Sequence, residues 1–486
     1  MTRPPSSSVR AGDAPGGADP VARALLVAAL VLGTIVFARL GQWSLWLDEV
    51  YTLADALHRE GMRNPLGYAL IGAWVERLDA RPSELELRLL PAIAGWLGVP
   101  LTYWAFRPFA GRRVAAAAAL LVALSPWHLH WSQQARFYTF AQDLALGGAG
   151  LVLRGLWRGS VALLAFGLLV AGLAGLAHPS GLIPVVALVL APFAVHRLVV
   201  PVPGVAGRAG RGLAVAAVLG ALVAAPWAFG VLRMWSTIRP EGSPVPFVLS
   251  TGAYLTPTLG AGLVAGVALA WIRRGPFEWL AIAVSAATLG GAFALSLVVR
   301  VNAQYVFTAL PWFALVAAAP VGSLGTTLWG ERRLADVVGS RLRLAYLGVL
   351  ALPLFADSFL YVAVRHGERP RWREAYLWVD EQRDPEDLIF GMEAPVGEYY
   401  LTPGKTDVRD LQRVLYLDRF RAPQIGAWAR HERRIWFVVN FEQLEDWPRD
   451  DARELEAVLR DDCRAVARFE VAVEARDLDV WVYVRD

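Results

Sequence analysis

One cysteine, Cys463, and one lysine, Lys405, occur in 486 residues. A lone thiol excludes an intramolecular disulfide and any multi-cysteine metal site, and its plain reading is a small buried hydrophobe. Charge is also scarce: Asp, Glu, Lys and Arg make up 19% of the chain, against 56% apolar residues and a mean hydropathy of +0.41. No basic cluster resembles a nucleic-acid footprint, so nucleic acid is not an expected partner. No inverted internal repeat is evident, which argues against the commonest transporter architecture. No small-residue cleavage site follows the first apolar run, and that run is too long for the core of a signal peptide. Val21–Leu40 therefore reads as an uncleaved first span, with Arg23 and Arg39 near its ends. With basic residues almost all arginine and heavy use of Ala, Gly, Leu and Val, the composition suggests a GC-rich bacterial coding sequence.

What the chain does have is apolar runs. They recur near 21–40, 89–106, 114–126, 140–153, 160–177, 181–195, 212–230, 256–272, 277–299, 305–320 and 344–363. About 20 apolar residues cross a bilayer core, so these predict a polytopic α-helical membrane protein with about eleven spans. Arginine sets the orientation. Arg107, Arg112, Arg113, Arg154, Arg158, Arg197, Arg208, Arg211, Arg273, Arg274, Arg332, Arg333, Arg341 and Arg343 fall in alternate loops; outside the large first loop, Arg136, Arg233, Arg239 and Arg300 are the main arginines opposite. The positive-inside rule places the amino terminus in the cytoplasm, and an odd span count puts the carboxyl-terminal end outside. The expected organisation is a disordered tail over 1–20, a membrane domain over 21–363 whose first outer loop is 41–88, and an extracytoplasmic α/β domain over 364–486. A bacterial inner membrane is the expected location.

Within the first outer loop, 53–61 and 66–78 have apolar residues at helical spacing. They predict two interfacial amphipathic helices, with packing on the tail domain as the alternative. The segment 233–254, rich in Pro, Gly and Ser, reads as a mobile outer loop. In the tail, 371–390 predicts a helix and then a strand broken at Asp384–Pro385, 433–440 a buried strand, 452–462 a helix and the last two apolar stretches closing strands. That tail has no Gly-rich phosphate loop and no nucleophile elbow, so no chemistry is assigned to it.

Chemistry concentrates where the first span ends. WLDEVYT holds adjacent carboxylates, Asp48 and Glu49, wrapped in Trp43, Trp46 and Tyr51. Ionisable groups at membrane depth are functional candidates, and partial desolvation raises a carboxylate's basicity toward an acceptor hydroxyl. On a helix the two side chains point about 100° apart, so they divide the work. One faces a cavity and the other makes a structural or substrate contact; a solvated helix-end pair is the alternative. Before the fourth run, SQQARFYTF places Arg136 on the same outer side, where its planar fork suits a lipid phosphate, though snorkelling is the ordinary reading. His178 in the turn AHPSG, and Arg300 with Gln304 before Tyr305, are further polar candidates there.

These features together resemble the GT-C glycosyltransferases, and within them the branch of the protein O-mannosyltransferases and the lipid A aminoarabinose transferase. The resemblance rests on WLDEVYT, SPWHLHWSQQARFYTF, NAQYVFTALPWFALVAA and RPRWREAYLWVDEQRDPEDLIF, in that order along nearly the whole chain. It implies an inverting transfer of sugar from a polyprenyl-phosphate donor to an envelope glycan, lipid or protein acceptor on the outer face. Asp48 would be the catalytic carboxylate and Glu49 its neighbour. Arg136, Tyr138 and Arg300 would bind the donor phosphate, with Trp46, Tyr51, Gln134, His178, Gln304 and Tyr305 around the substrate cavity. The chain departs from the family pattern at RNPLGY (Arg63–Tyr68), which lacks the family's histidine, at Gln134, where the family has an acid, and at Gln304–Tyr305, where it has Arg-Tyr. No cofactor or protein-held metal is implied outright, and a divalent cation is compatible. Membrane lipids are expected partners. A lipid or glycan transporter, a glycan ligase and a catalytically silent assembly partner are the competing readings.

Overall fold

The computed structural model describes residues 19–486 apart from 59–63, 79–80, 239–241, 325–332, 405–406, 409–410, 418–432, 446 and 474–475. Nearly all of the expected tail 1–20, with Arg63, Arg239, Arg332 and Lys405, lies outside the described residues. Asp19 caps the first helix by accepting from the N–H groups of Val21 and Ala22, with Pro20 at the first helical position. From there run α1 (Pro20–Gly33), α2 (Leu47–His58), α3 (Pro65–Val75), α4 (Glu84–Ala110), α5 (Arg112–Leu124), α6 (Pro126–Ser132), α7 (Tyr138–Arg158), α8 (Val161–Ala177), α9 (Leu182–Leu198), α10 (Arg208–Ile238), α11 (Pro244–Arg273), α12 (Pro276–Ser296), α13 (Leu310–Ala318) and α14 (Arg333–Ala363).

Each apolar run named above is helical over most of its length, and the chain is a polytopic helical bundle followed by a small mixed-sheet domain. Among the described residues seven helices are long and apolar enough to cross a membrane, or up to nine if α5–α6, bent by 61°, and the two halves of α10, bent by 48°, each count as one span. The expectation of about eleven included α7 and α8. α7 carries Asp143, Arg154 and Arg158, and α8 is only 17 residues long, so neither passes on length and apolarity. The outward faces of the bundle remain apolar: Phe229 is 69% exposed, Val264 71% and Val349 68%. Such a belt fits lipid, not water. α13 is buried along its whole length at the centre.

Two expectations about loops change. α2 starts at Leu47, six residues before the predicted helix, because its first turn already holds Asp48 and Glu49, which favour a helix amino terminus. It packs on the tail domain, the alternative of the two arrangements foreseen. The segment 233–254 is mostly helix, with α10 running to Ile238 and α11 starting at Pro244; proline at the first helical position starts a helix here.

The tail contains α15 (Trp372–Gln382), β1 (Leu388–Gly391), α16 (Ala394–Leu401), β2 (Val414–Tyr416), β3 (Ile435–Val439), α17 (Phe441–Leu444), α18 (Arg449–Asp461), β4 (Arg464–Phe469) and β5 (Val480–Arg485). The strands form one sheet in the order β2-β1-β3-β5-β4, with β1 parallel to β2 and β3, and β5 antiparallel to β3 and β4. Cys463 is half-buried against this core, and burial pushes its thiol up to about 11. The domain grips the segment leaving α1. The Arg373 guanidinium donates to Gly41 O at 3.3 Å and Gln42 O at 2.7 Å, its backbone N–H donates to Ser44 Oγ at 3.0 Å, and Leu45 N–H donates to Tyr400 Oη at 2.8 Å.

α7 and α8 form a hairpin that depends on missing side chains. A Cβ on Gly148 would lie 2.5 Å from Ala171 N, one on Gly155 2.7 Å from Leu164 N, and one on Gly167 2.7 Å from Val152 N. Small residues let membrane helices approach this closely. Gly148→Val is therefore expected to lower stability by about 1–3 kcal/mol. Gly172→Val, where an added Cβ meets nothing within 4 Å, is expected to be neutral. The unfolding midpoint of the detergent-purified variants checks both.

Candidate functional site

The first turn of α2 sends its two carboxylates to different neighbours. Trp46 O accepts the N–H of Glu49 at 3.0 Å and of Val50 at 3.2 Å, which fixes the turn. Glu49 then points inward and is fully buried. Arg88 donates to it twice, Nε to Oε1 at 2.8 Å and Nη2 to Oε2 at 2.7 Å. Arg369 Nη1 adds a contact to Oε2 at 3.2 Å, and the Ala135 N–H donates to Oε1 at 2.8 Å. Burial alone would raise the Glu49 pKa, but the Arg88 and Arg369 charges outweigh it and hold the carboxyl down near 2. No oxygen of Glu49 is left for a substrate. The carboxylate joins α2, the start of α4, the turn before α7 and the linker into the tail.

Asp48 is 35% exposed along its side chain and faces Arg136, with Nη2 of the arginine 3.6 Å from Oδ2. Arg136 is anchored through Nη1, which donates to Asp48 O at 3.1 Å and Thr52 Oγ1 at 2.8 Å. It also interacts with the Tyr138 hydroxyl. Around Tyr138 runs an aromatic row: ring centroids lie 4.4 Å apart for Trp131–Tyr138, 4.5 Å for Tyr138–His178, 5.9 Å for His178–Tyr305 and 5.1 Å for Tyr305–Trp235. The structure thus gathers Asp48, Arg136, Tyr138, His178 and Tyr305 from segments far apart in the chain.

The other candidates are placed less centrally. Trp46 and Tyr51 are half-buried on either side of the pair. Gln134 is buried and hydrogen-bonded to His130 at 2.6 Å. Gln304 is half-buried beside Tyr305, and Arg300 is exposed just past α12.

Three residues of the site were not foreseen. Arg88 was visible in principle as a charge entering the second apolar run, the same rule that picked out Asp48. Arg369 lies in an arginine-rich linker with no distinguishing pattern. Glu393, between β1 and α16, is buried, and its carboxylate interacts with Leu47 N–H and Asp48. Among the described residues no group of three or more His, Cys, Asp and Glu side chains is arranged to hold a metal ion.

This architecture, a helical membrane bundle with a mixed-sheet domain docked on its first loop, is similar in fold to several solved structures. ArnT, from Cupriavidus metallidurans, matches in its apo state at TM-score 0.52 and 15% identity, over 95% of this chain and 98% of that one. Its structure bound to undecaprenyl phosphate matches at TM-score 0.52 and 16% identity, over 96% and 98%. The apo oligosaccharyltransferase of Archaeoglobus fulgidus matches at TM-score 0.57 and 13% identity, over 94% of this chain and 75% of that one. At these identities the likeness establishes the fold. No sequence-family profile matches the chain, and no curated protein matches it significantly.

The two neighbouring acids should separate cleanly on substitution. Glu49→Gln breaks a buried ion pair and is expected to lower stability by about 3–5 kcal/mol. Asp48→Asn touches a partly exposed pair and should cost less than about 1 kcal/mol. Because the Glu49 pKa is depressed in the fold, its contribution is present above about 4.5 and is lost as pH falls toward about 2. Unfolding midpoints of both variants, followed down through that window, test the assignment.

Proposed function

We propose that this protein is an inverting glycosyltransferase that moves a sugar from a polyprenyl-phosphate donor to an envelope acceptor on the outer face of the bacterial inner membrane. The observation that supports it best is the pairing of Asp48 with Arg136, a partly exposed base beside an anchored guanidinium. The undecaprenyl-phosphate complex of ArnT, which shares the fold, supports a lipid-phosphate donor.

In this reading Arg136 holds the donor phosphate through charge-assisted bonds, with Tyr138 beside it. Asp48 takes the proton of the acceptor hydroxyl. The acceptor oxygen forms its bond to the anomeric carbon from the face opposite the phosphate. The bond from that carbon to the phosphate oxygen breaks, and the electron pair leaves on the lipid phosphate. Arg136 stabilises the charge that develops there, an interaction of a kind whose loss costs about 3–4 kcal/mol in the transition state. Glu49 supports the geometry by fixing the turn that aims Asp48. The exposed Arg300 is a second, weaker candidate for the phosphate. The arginine-rich loops face the cytoplasm and the tail faces outward, which puts the site where lipid-linked sugars are the available donors.

The test uses the full-length protein in nanodiscs, undecaprenyl phosphate carrying labelled mannose, arabinose or aminoarabinose, and membranes from a strain lacking the gene as acceptor. Label is expected to leave one donor for a membrane product. Asp48→Asn should transfer at least about a hundredfold more slowly, and Arg136→Ala by a similar factor. Failure of every donor, or an Asp48→Asn protein working at the parent rate, overturns the reading.

A further inference from the structure

Where α4, α6 and α7 meet, the bundle encloses a polar cell that the mechanism above does not use. His128 on α6 and Gln142 on α7 are fully buried, and Asp143, next to Gln142, turns its Oδ1 inward. His128 Nε2 donates to Gly95 O at 3.0 Å, which fixes the tautomer and leaves Nδ1 a bare acceptor. Gln142 Nε2 donates to Phe307 O at 3.1 Å, and its Oε1 is left over. Among the described residues no hydrogen bond reaches Asp143 Oδ1, Gln142 Oε1 or His128 Nδ1. The three side chains crowd one point on α4. A Cβ on Gly98 would lie 2.8 Å from Asp143 Oδ1, 3.4 Å from Gln142 Oε1 and 3.8 Å from His128 Cε1. Glycine at 98 is what makes room for them.

Acceptors gathered without a donor repel one another, and the carboxylate adds a charge that its surroundings do not balance. Among the described residues Asp143 makes no ion pair, and a charge buried without a partner is strongly unfavourable. Water supplies hydrogens to two of the acceptors and leaves the charge. A cationic ligand meets both demands. We propose that the cell binds a monovalent cation, a proton or a sodium ion, held by Asp143 with Gln142 Oε1 and His128 Nδ1 around it. One carboxylate balances one charge, whereas a divalent ion draws on more anionic oxygens. His128 and Asp143 stand on either side of the turn that carries Arg136, so the cation braces the two helices from which that turn springs. This site does not depend on the transferase reading.

The other ionisable groups on the elements around α7 are engaged elsewhere. Tyr138, with His178 and Tyr305, belongs to the aromatic row at the amino-terminal end of α7, and His130 on α6 is bonded to Gln134. At the other end of α7, Arg154 donates to Gly150 O at 2.7 Å and Trp104 O at 2.5 Å, and Arg107 lies over the Tyr103 ring. At the start of α4, Arg88 pairs with Glu49 and Glu84 with Arg373. α8 carries no ionisable side chain, and those of α9 and α10 are His196, Arg197, Arg208, Arg211 and Arg233, toward the helix ends.

Two measurements on the full-length protein in detergent micelles test the proposal, and neither needs sugar transfer. The first is unfolding, followed as sodium chloride replaces choline chloride at fixed pH, and then against pH in choline chloride alone. A ligand bound only by the folded state stabilises it by mass action. The unfolding constant of the parent, relative to Asp143→Asn, should therefore change by up to about tenfold per tenfold change in one of the two cations. A sodium response identifies the sodium ion. A pH response without one identifies the proton, the parent losing stability relative to Asp143→Asn as pH rises and the ligand is withdrawn. The second measurement is direct: uptake of radiolabelled sodium, and the infrared band of a protonated carboxyl at neutral pH. The parent should show uptake or a band that Asp143→Asn lacks. Gly98→Ala, which sets a methyl group among the three side chains, should weaken whichever response the parent gives. A parent that follows neither cation, a response that persists in Asp143→Asn, or the lack of both uptake and band overturns the proposal and leaves the cell to water alone.

Discussion

The fully buried Glu49 carboxylate is the contact on which the arrangement of the site depends. A lone buried carboxylate is strongly unfavourable, and two arginines around it leave an excess of positive charge. The fold disperses that excess onto backbone oxygens. Arg88 donates to Leu40 O at 3.0 Å, Trp43 O at 2.9 Å and Ser44 O at 2.8 Å, and Arg369 donates to Gln133 O at 2.7 Å. Those carbonyls belong to the stretch leaving α1 and to the turn ahead of Arg136. One ion cluster therefore sets both halves of the site, the helix bearing Asp48 and the turn bearing Arg136. Arg369 brings the tail domain into the same cluster, and Arg373 ties it to Gly41 O and Gln42 O, which makes the tail part of the site's framework.

Much of the fold was legible because membrane helices declare themselves by apolar length and the tail strands by β-branched and aromatic runs. The break at Asp384–Pro385 falls between α15 and β1 as read. The adjacent acids were legible too, since a helix forces neighbours onto different faces, and Asp48 and Glu49 have different partners. What failed was composition read without context. Pro, Gly and Ser over 233–254 suggested a loop, but Pro244 begins α11, and Thr256, at φ 58°, absorbs the bend before Pro257 inside that helix.

Arg369 and Glu393 were invisible for a different reason. Each reaches the site only because the tail docks on α2, and docking between segments more than 300 residues apart leaves no local pattern. Arg88 is the opposite case. Its charge at the edge of an apolar run resembles a snorkelling arginine in sequence, yet its side chain is fully buried and points into the protein. Depth in the membrane and direction of the side chain are separate facts, and a linear pattern supplies only the first.

The resting contact between Asp48 and Arg136 gives the proposed chemistry its order. At 3.6 Å and a third exposed on the acid side, the pair is worth no more than about 1 kcal/mol. Nη1 of Arg136 is tied to Asp48 O and Thr52, so the guanidinium keeps its place when the Asp48 carboxylate lets go. A donor phosphate would compete for Nη2 against that weak contact and offer a stronger, charge-assisted one. Donor binding then turns Arg136 from the partner of Asp48 into the partner of the leaving group. The same step returns the Asp48 carboxylate to the acceptor as a freer base. A tighter resting pair, of the kind Glu49 makes with Arg88, would hold both groups against their substrates. The looseness of one acid and the rigidity of its neighbour are what the division of labour between adjacent positions requires.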